Sequence, residues 1–446
     1  MHQMIEEKFI VRGGKSLQGE VSVAGAKNVA LKAIVAACLT TEEVILHNIP
    51  LISDLRIMAE IIQDLGGSFV IEDHTARIRV EHFKKNEITL DQASHIRTSS
   101  MFLAPLLVRE HEAIIPNPGG CRLGARPIDR TIDGLRQMGA TIEYLSDDGF
   151  FHATSDKLHG VRYHFEKNTH TGTETMIIAA VCAEGKTVLT NAAEEPEIDE
   201  LIDLLNAMGG KIKRTDKRVI EIEGVEELHG AEVTIRPDRN EVVTFAIAAI
   251  VTKGDVIVSG ARKEDLSAFL EKFEAVGGGV EQVSAGLRFY FKDQIQAVDV
   301  TTAPYPGFMT DWQAPWAVMM TQADGISTIH ETVFENKLQY VADLKKMGAK
   351  VELFNPPVEN KEDVYNFNLD DDRPEYYHAV RIKGPKKLHN AIVTMHDIRA
   401  GAAVVLAALA ANGETTIHGI HLIERGYENF EKRLRSLGAD IEKITK

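Results

Sequence analysis

One signature recurs six times along this chain: an apolar residue, then glycine, then glycine or alanine, leading into a strand pattern. The copies are DLGGSFV at Gly66, QMGATIE at Gly139, AMGGKIK at Gly209, AVGGGVE at Gly277, KMGAKVE at Gly348 and SLGADIE at Gly438. Successive glycines stand 73, 70, 68, 71 and 90 residues apart. Glycine closing a helical pattern suits a cap in the left-handed conformation, which a Cβ disfavours. The long last interval contains NPPVENKEDVYNFNLDDDRPEYY, a polar stretch that reads as a surface insertion.

A second element keeps the same beat. Alanine-rich apolar runs follow polar residues in GAKNVALKAIVAACLT, IRTSSMFLAPLLVR, GTETMIIAAVCAEG, DRNEVVTFAIAAIVTKG, DWQAPWAVMMTQADG and DIRAGAAVVLAALAANG. Each is apolar nearly all round, which predicts a buried helix. A short strand follows, such as EVILHNI or DVIVSG, then an amphipathic helix ending at the glycine signature. Periods this long are not those of common solenoids. They predict two pseudo-threefold domains of three units each, helices inside and sheets outside. A Rossmann-type sheet would need a glycine-rich strand-to-helix fingerprint, which is missing.

The residues heading the six runs are Lys27 with Asn28, Arg97, Thr173 with Glu174, Arg239, Asp311, and Asp397 with Arg399. A plain cap would be Ser or Asp. Four heads instead carry Lys or Arg, which suit a positive helix N-terminus poorly unless an anion lies among them. Helix starts converging between the domains would make an anion-binding cleft.

Composition sharpens this. A length of 446 residues favours two large domains, and 44% hydrophobic with 26% charged residues is the balance of a soluble globular protein. The opening MHQMIEEKFIVRGG has no apolar signal core, and no run is long enough to span a bilayer, so a cytoplasmic location and no membrane partner are expected. A net charge of −16 excludes nucleic acid as main partner and requires a local basic cluster for any anionic ligand. Three cysteines give neither a disulfide framework nor paired metal-ligand spacing. Cys38 and Cys182 lie in apolar runs and read as residues of buried helices. Cys121 lies in GGCRLGARPID, where Arg122 and Arg126 could lower a thiol's pKa. Locally it is either a functional thiol or an incidental loop cysteine.

The stretches LQGEVSVAGAKNVAL, RTSSMFLAPLLV, PGGCRLGARPID, NAAEEPEI, RPDR, TAPYPGFMTD, ETVFENK, DIRAGAAVVLA and ERGYENFEKRLRSLGA lie in order along the chain. Together they resemble the enolpyruvyl transferases, and most closely those acting on UDP-N-acetylglucosamine. The resemblance implies an α/β fold, a two-domain inside-out α/β prism of six units of about seventy residues. It places one domain at 27–235, carrying the Cys121 loop, and the other at 1–26 with 236–446. It also implies transfer of the enolpyruvyl group of phosphoenolpyruvate to the sugar's 3-hydroxyl, with release of phosphate and without cofactor or metal. That reaction opens peptidoglycan precursor synthesis.

The family's proton donor falls on Cys121, and its general base on Asp311, which could otherwise be a simple cap. Lys27, Asn28, Arg126, Arg399 and Arg425 match the phosphoenolpyruvate contacts, Lys27 also serving catalysis. Forked guanidiniums bind planar oxyanions well. Arg97, Arg126, Pro127, Ile128, Asp129, Thr171, Gly172, Asp311 and Val333 match UDP-sugar contacts. Asp397, Glu195 and Arg239 match supporting positions.

The chain also departs from that pattern. Where many members read SVGAT, it has THTGTET from Thr169 to Thr175. Thr131 stands where some carry histidine, and Lys337 where some carry arginine. His170 reads as a local hydrogen-bonding side chain rather than an acid or base. The altered segment keeps a different uridine-nucleotide acceptor open, and a catalytically silent UDP-sugar-binding paralogue is the reading from another class. Shikimate 3-phosphate fits less well, because enzymes that use it lack the cysteine loop.

Overall fold

The computed structural model describes residues 7–117 and 128–445. They divide into two compact units: one takes the chain up to Ala24 and from Pro237 onward, the other lies within Gly25–Arg236. Each unit has its own apolar core.

In the first unit the helices Arg239–Val251, Gln313–Gln322 and Ile398–Ala410 pack on one another. Every residue of the first of these is buried. The runs VVTFAIAAIV and AAVVLAALA offer no polar stripe to water, so the only stable place for them is the centre. Three four-stranded sheets cover this core, each built to one plan. Asp255–Ser259 pairs antiparallel with Gly286–Tyr290, the second strand of a hairpin with Gly279–Val283, and parallel with Gln18–Ser22. Gly325–His330 repeats this with Ala379–Gly384, Lys350–Phe354 and Val300–Thr301. In the third sheet the antiparallel partner is the strand Glu7–Arg12, which lies between Glu414–His418 and Asp440–Thr445. Phe9 faces Ile417 on one side and Lys443 on the other. That strand ties both ends of the chain into one unit.

The second unit carries the helices Lys27–Ala37, Leu103–Arg109 and His170–Ala180. Two of its sheets follow the same plan. Val44–His47 takes its parallel neighbour from Glu232–Thr234, near the end of the segment. The third sheet has three strands, and a single parallel bridge, Glu87 to Ile114, occupies the place of a fourth.

Each outer helix ends at its signature glycine. Gly66, Gly139, Gly209, Gly277, Gly348 and Gly438 have φ of 100°, 103°, 101°, 93°, 88° and 98°. All six lie in the left-handed region that the sequence signature predicts.

Three details differ from the sequence expectation. The second and fifth inner helices are each led in by a 3-10 turn, Arg97–Phe102 and Thr310–Trp312. Pro105 and Pro315 sit third in the α segments that follow and, having no N–H, cannot carry the hydrogen-bond ladder on from those turns. Thr173 and Glu174 do not head the third helix. It begins at His170 behind a Thr169 cap, and both residues are buried one turn in. The insertion is not wholly superficial either: Tyr365 and Phe367 stack at 4.9 Å, with the buried His378 against both. Among the described residues, no helix is long and apolar enough to cross a membrane.

A buried ion pair binds distant segments of the first unit. Arg433 Nη1 and Nη2 meet Glu241 Oε2 and Oε1 at 2.6 and 2.7 Å. Glu241 Oε2 also accepts from the Ala24 N–H at 2.9 Å. Glu241→Ala leaves that guanidinium and N–H without their acceptor and is expected to lower stability by about 3 kcal/mol. A fall in the urea midpoint checks this, and an unchanged midpoint counts against it.

Candidate active site

Asp311 is the centre of the Thr310–Trp312 turn and keeps 23% of its side chain exposed. Two cations flank it. Arg399 Nε lies 3.6 Å from its Oδ2, and Lys337 Nζ lies 3.6 Å from its Oδ1. Arg399 is buried, and its Nη2 stands 3.9 Å from Asp238 Oδ2. Its guanidinium lies over the Tyr427 ring at 5.1 Å, while Nη1 has no hydrogen-bond acceptor. Burial alone would make this guanidinium easier to deprotonate. The neighbouring Tyr427, Asp238 and Asp311 more than reverse that, so it is a fixed cation.

The local sequence explains how Arg399 is held. Asp397 caps the Ile398–Ala410 helix, its Oδ1 accepting from the N–H groups of Arg399 at 2.8 Å and Ala400 at 2.9 Å. Asp238 caps the Arg239–Val251 helix in the same way, accepting from Asn240 N–H at 2.7 Å. Asn240 Oδ1 then accepts from the Trp312 indole at 2.9 Å, next to Asp311. Arg239 lies over the rings of Tyr305 at 5.0 Å and Trp312 at 5.8 Å. Asp311, Arg399, Asp397 and Arg239 thus gather around one corner of this unit. Arg425 ends the 3-10 helix Ile420–Arg425 and is half-buried.

Glu331 is a residue that sequence reasoning missed. It is fully buried, and burial raises its carboxyl pKa against the hydrogen bonds that lower it. Its Oε1 accepts from the Val333 N–H at 2.7 Å and the Phe334 N–H at 3.0 Å. Its Oε2 accepts from Thr310 Oγ1 at 2.8 Å and Gln313 Nε2 at 3.1 Å. One carboxylate therefore clamps the loop of Val333 to the turn of Asp311. The only sequence signal was an acidic residue opening ETVFENK, which says nothing about where its oxygens point.

In the second unit, Lys27 begins its helix and is buried with Nζ 2.7 Å from Asp54 Oδ2. Asp54, in the next helix, was also not singled out from sequence. Asn28 follows, half-buried. Arg97 opens the Arg97–Phe102 turn. Ile128 is buried, and Asp129, exposed, begins the Asp129–Gln137 helix. Thr171 and Gly172 lie in the first turn of the His170–Ala180 helix, where Gly172 N–H donates to Thr169 Oγ1 at 3.2 Å. A Cβ on Gly172 would stand 2.5 Å from the Thr169 methyl, so the turn requires glycine here. Glu195, buried, precedes the Pro196–Ala207 helix, and its charge favours the protonated form of His170.

Cys121, Arg126 and Pro127 lie outside the described residues. Burial pushes the Cys38 thiol up to about 12 and the Cys182 thiol up to about 11. Neither is a thiolate at neutral pH. Cys182 differs from expectation in standing just past the end of its helix and being only half-buried.

A family model described as EPSP synthase (3-phosphoshikimate 1-carboxyvinyltransferase) matches residues 11–434. The chain is 39% identical to the UDP-N-acetylglucosamine 1-carboxyvinyltransferase of Acidobacterium capsulatum over 443 residues, 98% of this chain and 96% of that one. It is 40% identical to UDP-N-acetylglucosamine 1-carboxyvinyltransferase 3 of Caldanaerobacter subterraneus, over 98% of this chain and 99% of that one. The crystal structure of the enolpyruvyl transferase NikO from Streptomyces tendae has a TM-score of 0.84 at 23% identity, covering 99% of this chain and 100% of that one. EPSP synthase from Acinetobacter baumannii gives 0.71 at 19% identity, covering 98% and 100%. The fold is therefore the two-domain α/β architecture of these proteins. A model match across nearly the whole length and relatives this similar establish that the chain belongs to the enolpyruvyl transferase family.

Proposed function

We propose that this chain transfers the enolpyruvyl group of phosphoenolpyruvate to the 3-hydroxyl of UDP-N-acetylglucosamine and releases phosphate, the opening step of peptidoglycan precursor synthesis. One observation carries the reading: a buried guanidinium with an unpartnered N–H, on Arg399, fixed 3.6 Å from the carboxylate of Asp311. An oxyanion satisfies the first group, and a hydroxyl proton suits the second. The relatives' shared name supports this acceptor over shikimate 3-phosphate.

The chemistry needs an acid, a base and cations. Protonation of the methylene carbon makes C2 of phosphoenolpyruvate cation-like, and the sugar hydroxyl adds there while its proton passes to a base. Loss of a proton from the new methyl group then expels phosphate and leaves the enolpyruvyl ether. In this reading Cys121 is the acid and Asp311 the base. Lys27, Asn28, Arg126, Arg399 and Arg425 neutralise phosphate and carboxylate, and the helix starts add their N–H groups. Arg97, Arg126, Pro127, Ile128, Asp129, Thr171, Gly172, Asp311 and Val333 hold the sugar nucleotide. Asp397 sets Arg399, while Glu195 and Arg239 support the surrounding elements.

Phosphate release from phosphoenolpyruvate is expected to require UDP-N-acetylglucosamine. Strong turnover with shikimate 3-phosphate and none with the UDP-sugar would sink the proposal. A binder without turnover would show the UDP-sugar bound, as by calorimetry, and no phosphate released.

Asp311→Asn removes the base and keeps the shape. It should lower kcat by about 10²- to 10⁴-fold, whereas UDP-sugar binding, in which Asp311 is one contact among several, falls far less than kcat. A kcat within twofold of wild type removes Asp311 from that role.

For the thiol, Cys121→Asp should retain measurable turnover with its optimum moved toward acid, since a carboxyl titrates near 4 and a thiol near 8.5. Cys121→Ser should lose most turnover, because a hydroxyl is too weak an acid. Full activity in the serine variant returns Cys121 to an incidental loop residue. With the thiols of Cys38 and Cys182 held protonated, Cys121 should alkylate first, as peptide mapping after brief iodoacetamide exposure would read.

A further inference from the structure

The second unit buries a cluster of four ionisable side chains, of which the reading above uses only Glu195, as a supporting residue. Glu174 has no exposed surface, and Lys32 and Glu195 are each 6% exposed. Lys32 Nζ lies 3.4 Å from Glu174 Oε2, and His170 Nε2 lies 3.2 Å from Glu174 Oε1. None of these contacts is aligned as a hydrogen bond: His170 Nε2, both Glu174 oxygens and Glu195 Oε2 are buried without one. The Glu174 carboxylate against the Lys32 ammonium, with the charge of Glu195 also felt at His170, leaves an excess of negative charge in a dry place, which costs several kcal/mol unless something offsets it. Among the described residues, the group in contact with Glu174 that can do so is His170. As an imidazolium it makes the cluster neutral.

The neighbours agree. Burial by itself pushes His170 toward the neutral form, but the charges of Glu174 and Glu195 overcome both burial and Lys32 and raise its pKa above the ordinary 6.5. Three other helices pack on the His170–Ala180 helix. From the Pro196–Ala207 helix the facing charge is Glu195, at its start. On the Asp129–Gln137 helix, Asp129, Arg130 and Asp133 lie around Tyr163, and Arg136 binds the Ile142 carbonyl. On the Leu103–Arg109 helix, Arg109 is committed to the carbonyls of Cys38, Thr40, Val80 and Glu81. Lys32 comes from the Lys27–Ala37 helix.

His170 is 23% exposed although its Nε2 is buried, so the open part of the ring faces away from Glu174. It stands immediately before Thr171 and Gly172. We propose that His170 is a specificity-determining residue for the acceptor: an imidazolium held by the buried Lys32–Glu174–Glu195 cluster, which adds a positive charge to the segment that receives the uridine diphosphate portion. This rests on the reading of Thr171 and Gly172 as UDP-sugar contacts. It makes acceptor binding, rather than chemistry, sensitive to pH above neutrality. With the folded pKa raised above 6.5, the cation predominates below 6.5 and is lost as pH rises through the raised value.

The test measures binding of UDP, and of UDP-N-acetylglucosamine, by calorimetry between pH 6 and 9, beside kcat and both KM values. In the wild type, affinity for UDP should fall about tenfold across that range, the size of one charge-assisted hydrogen bond. The KM for UDP-N-acetylglucosamine should rise in parallel, while the KM for phosphoenolpyruvate does not follow the same curve. His170→Gln should bind UDP about tenfold more weakly at pH 6.5 and show no such inflection. Glu174→Gln should move the inflection to lower pH. Wild-type affinity flat across the range, or His170→Gln matching wild type at pH 6.5, overturns the proposal. Should the variants not fold, nitrogen NMR of the wild-type histidines decides: the His170 resonance should titrate above 6.5 and shift on adding UDP, and no response to UDP overturns the proposal. Absence of any turnover by the wild type with phosphoenolpyruvate and UDP-N-acetylglucosamine instead defeats the functional reading. Turnover with pH-independent UDP binding defeats only this inference.

Discussion

The architecture depends on helices with no polar side. An amphipathic helix can lie on a surface, but the run headed by Arg239 has nothing to show to water over thirteen residues. Such a helix must be enclosed, and a sheet with one apolar face is the simplest enclosure. Asp255–Ser259 shows how the sheets meet this need. Val256 and Val258 point inward with no exposure, and Asp255, Ile257 and Ser259 alternate with them on the outer side. Three helix-and-sheet units fill one core, and the chain does this twice.

The same constraint puts the chemistry where it is. Polar residues are costly along an enclosed helix, so, with the buried Lys32 and Glu174 as exceptions, most charged groups collect at the starts. There the backbone supplies unpaired N–H groups and a partial positive charge. Asp238 and Asp397 satisfy some of those N–H groups as caps, and each simultaneously sits beside a buried arginine. Arg399 is therefore fixed by charge and packing before any ligand is present. A preset cation loses little order on meeting an anion, which is what an addition through a cation-like carbon requires.

Buried carboxylates do much of the arranging. Glu331 accepts four hydrogen bonds from two chain segments. Glu241 accepts from the Ala24 N–H and pairs with Arg433, joining segments far apart in sequence. Neither group is a proposed reacting one, yet Glu331 sets where Val333 and the turn of Asp311 stand. Glu174 differs from them because its oxygens meet charges without aligned hydrogen bonds.

Much of this was legible in the sequence because it is local or periodic. The glycine signature fixes a left-handed cap wherever a helix ends, so six repeats could be counted and all six caps have positive φ. An apolar run without a polar stripe identifies an inner helix whatever surrounds it. Motif resemblance reached Asp311, Arg399 and Lys27 because their neighbours in sequence are distinctive. Pairings across the chain were not legible. Nothing in SDLRIMAE marks Asp54 as the partner of Lys27, nothing in ETVFENK aims the oxygens of Glu331, and Glu174 read as a helix head although it lies a turn inside. Periodicity tells which side of an element faces the core, but not which residue of another element it meets there. That is decided by packing in three dimensions, where buried charges must find partners whatever their distance along the chain.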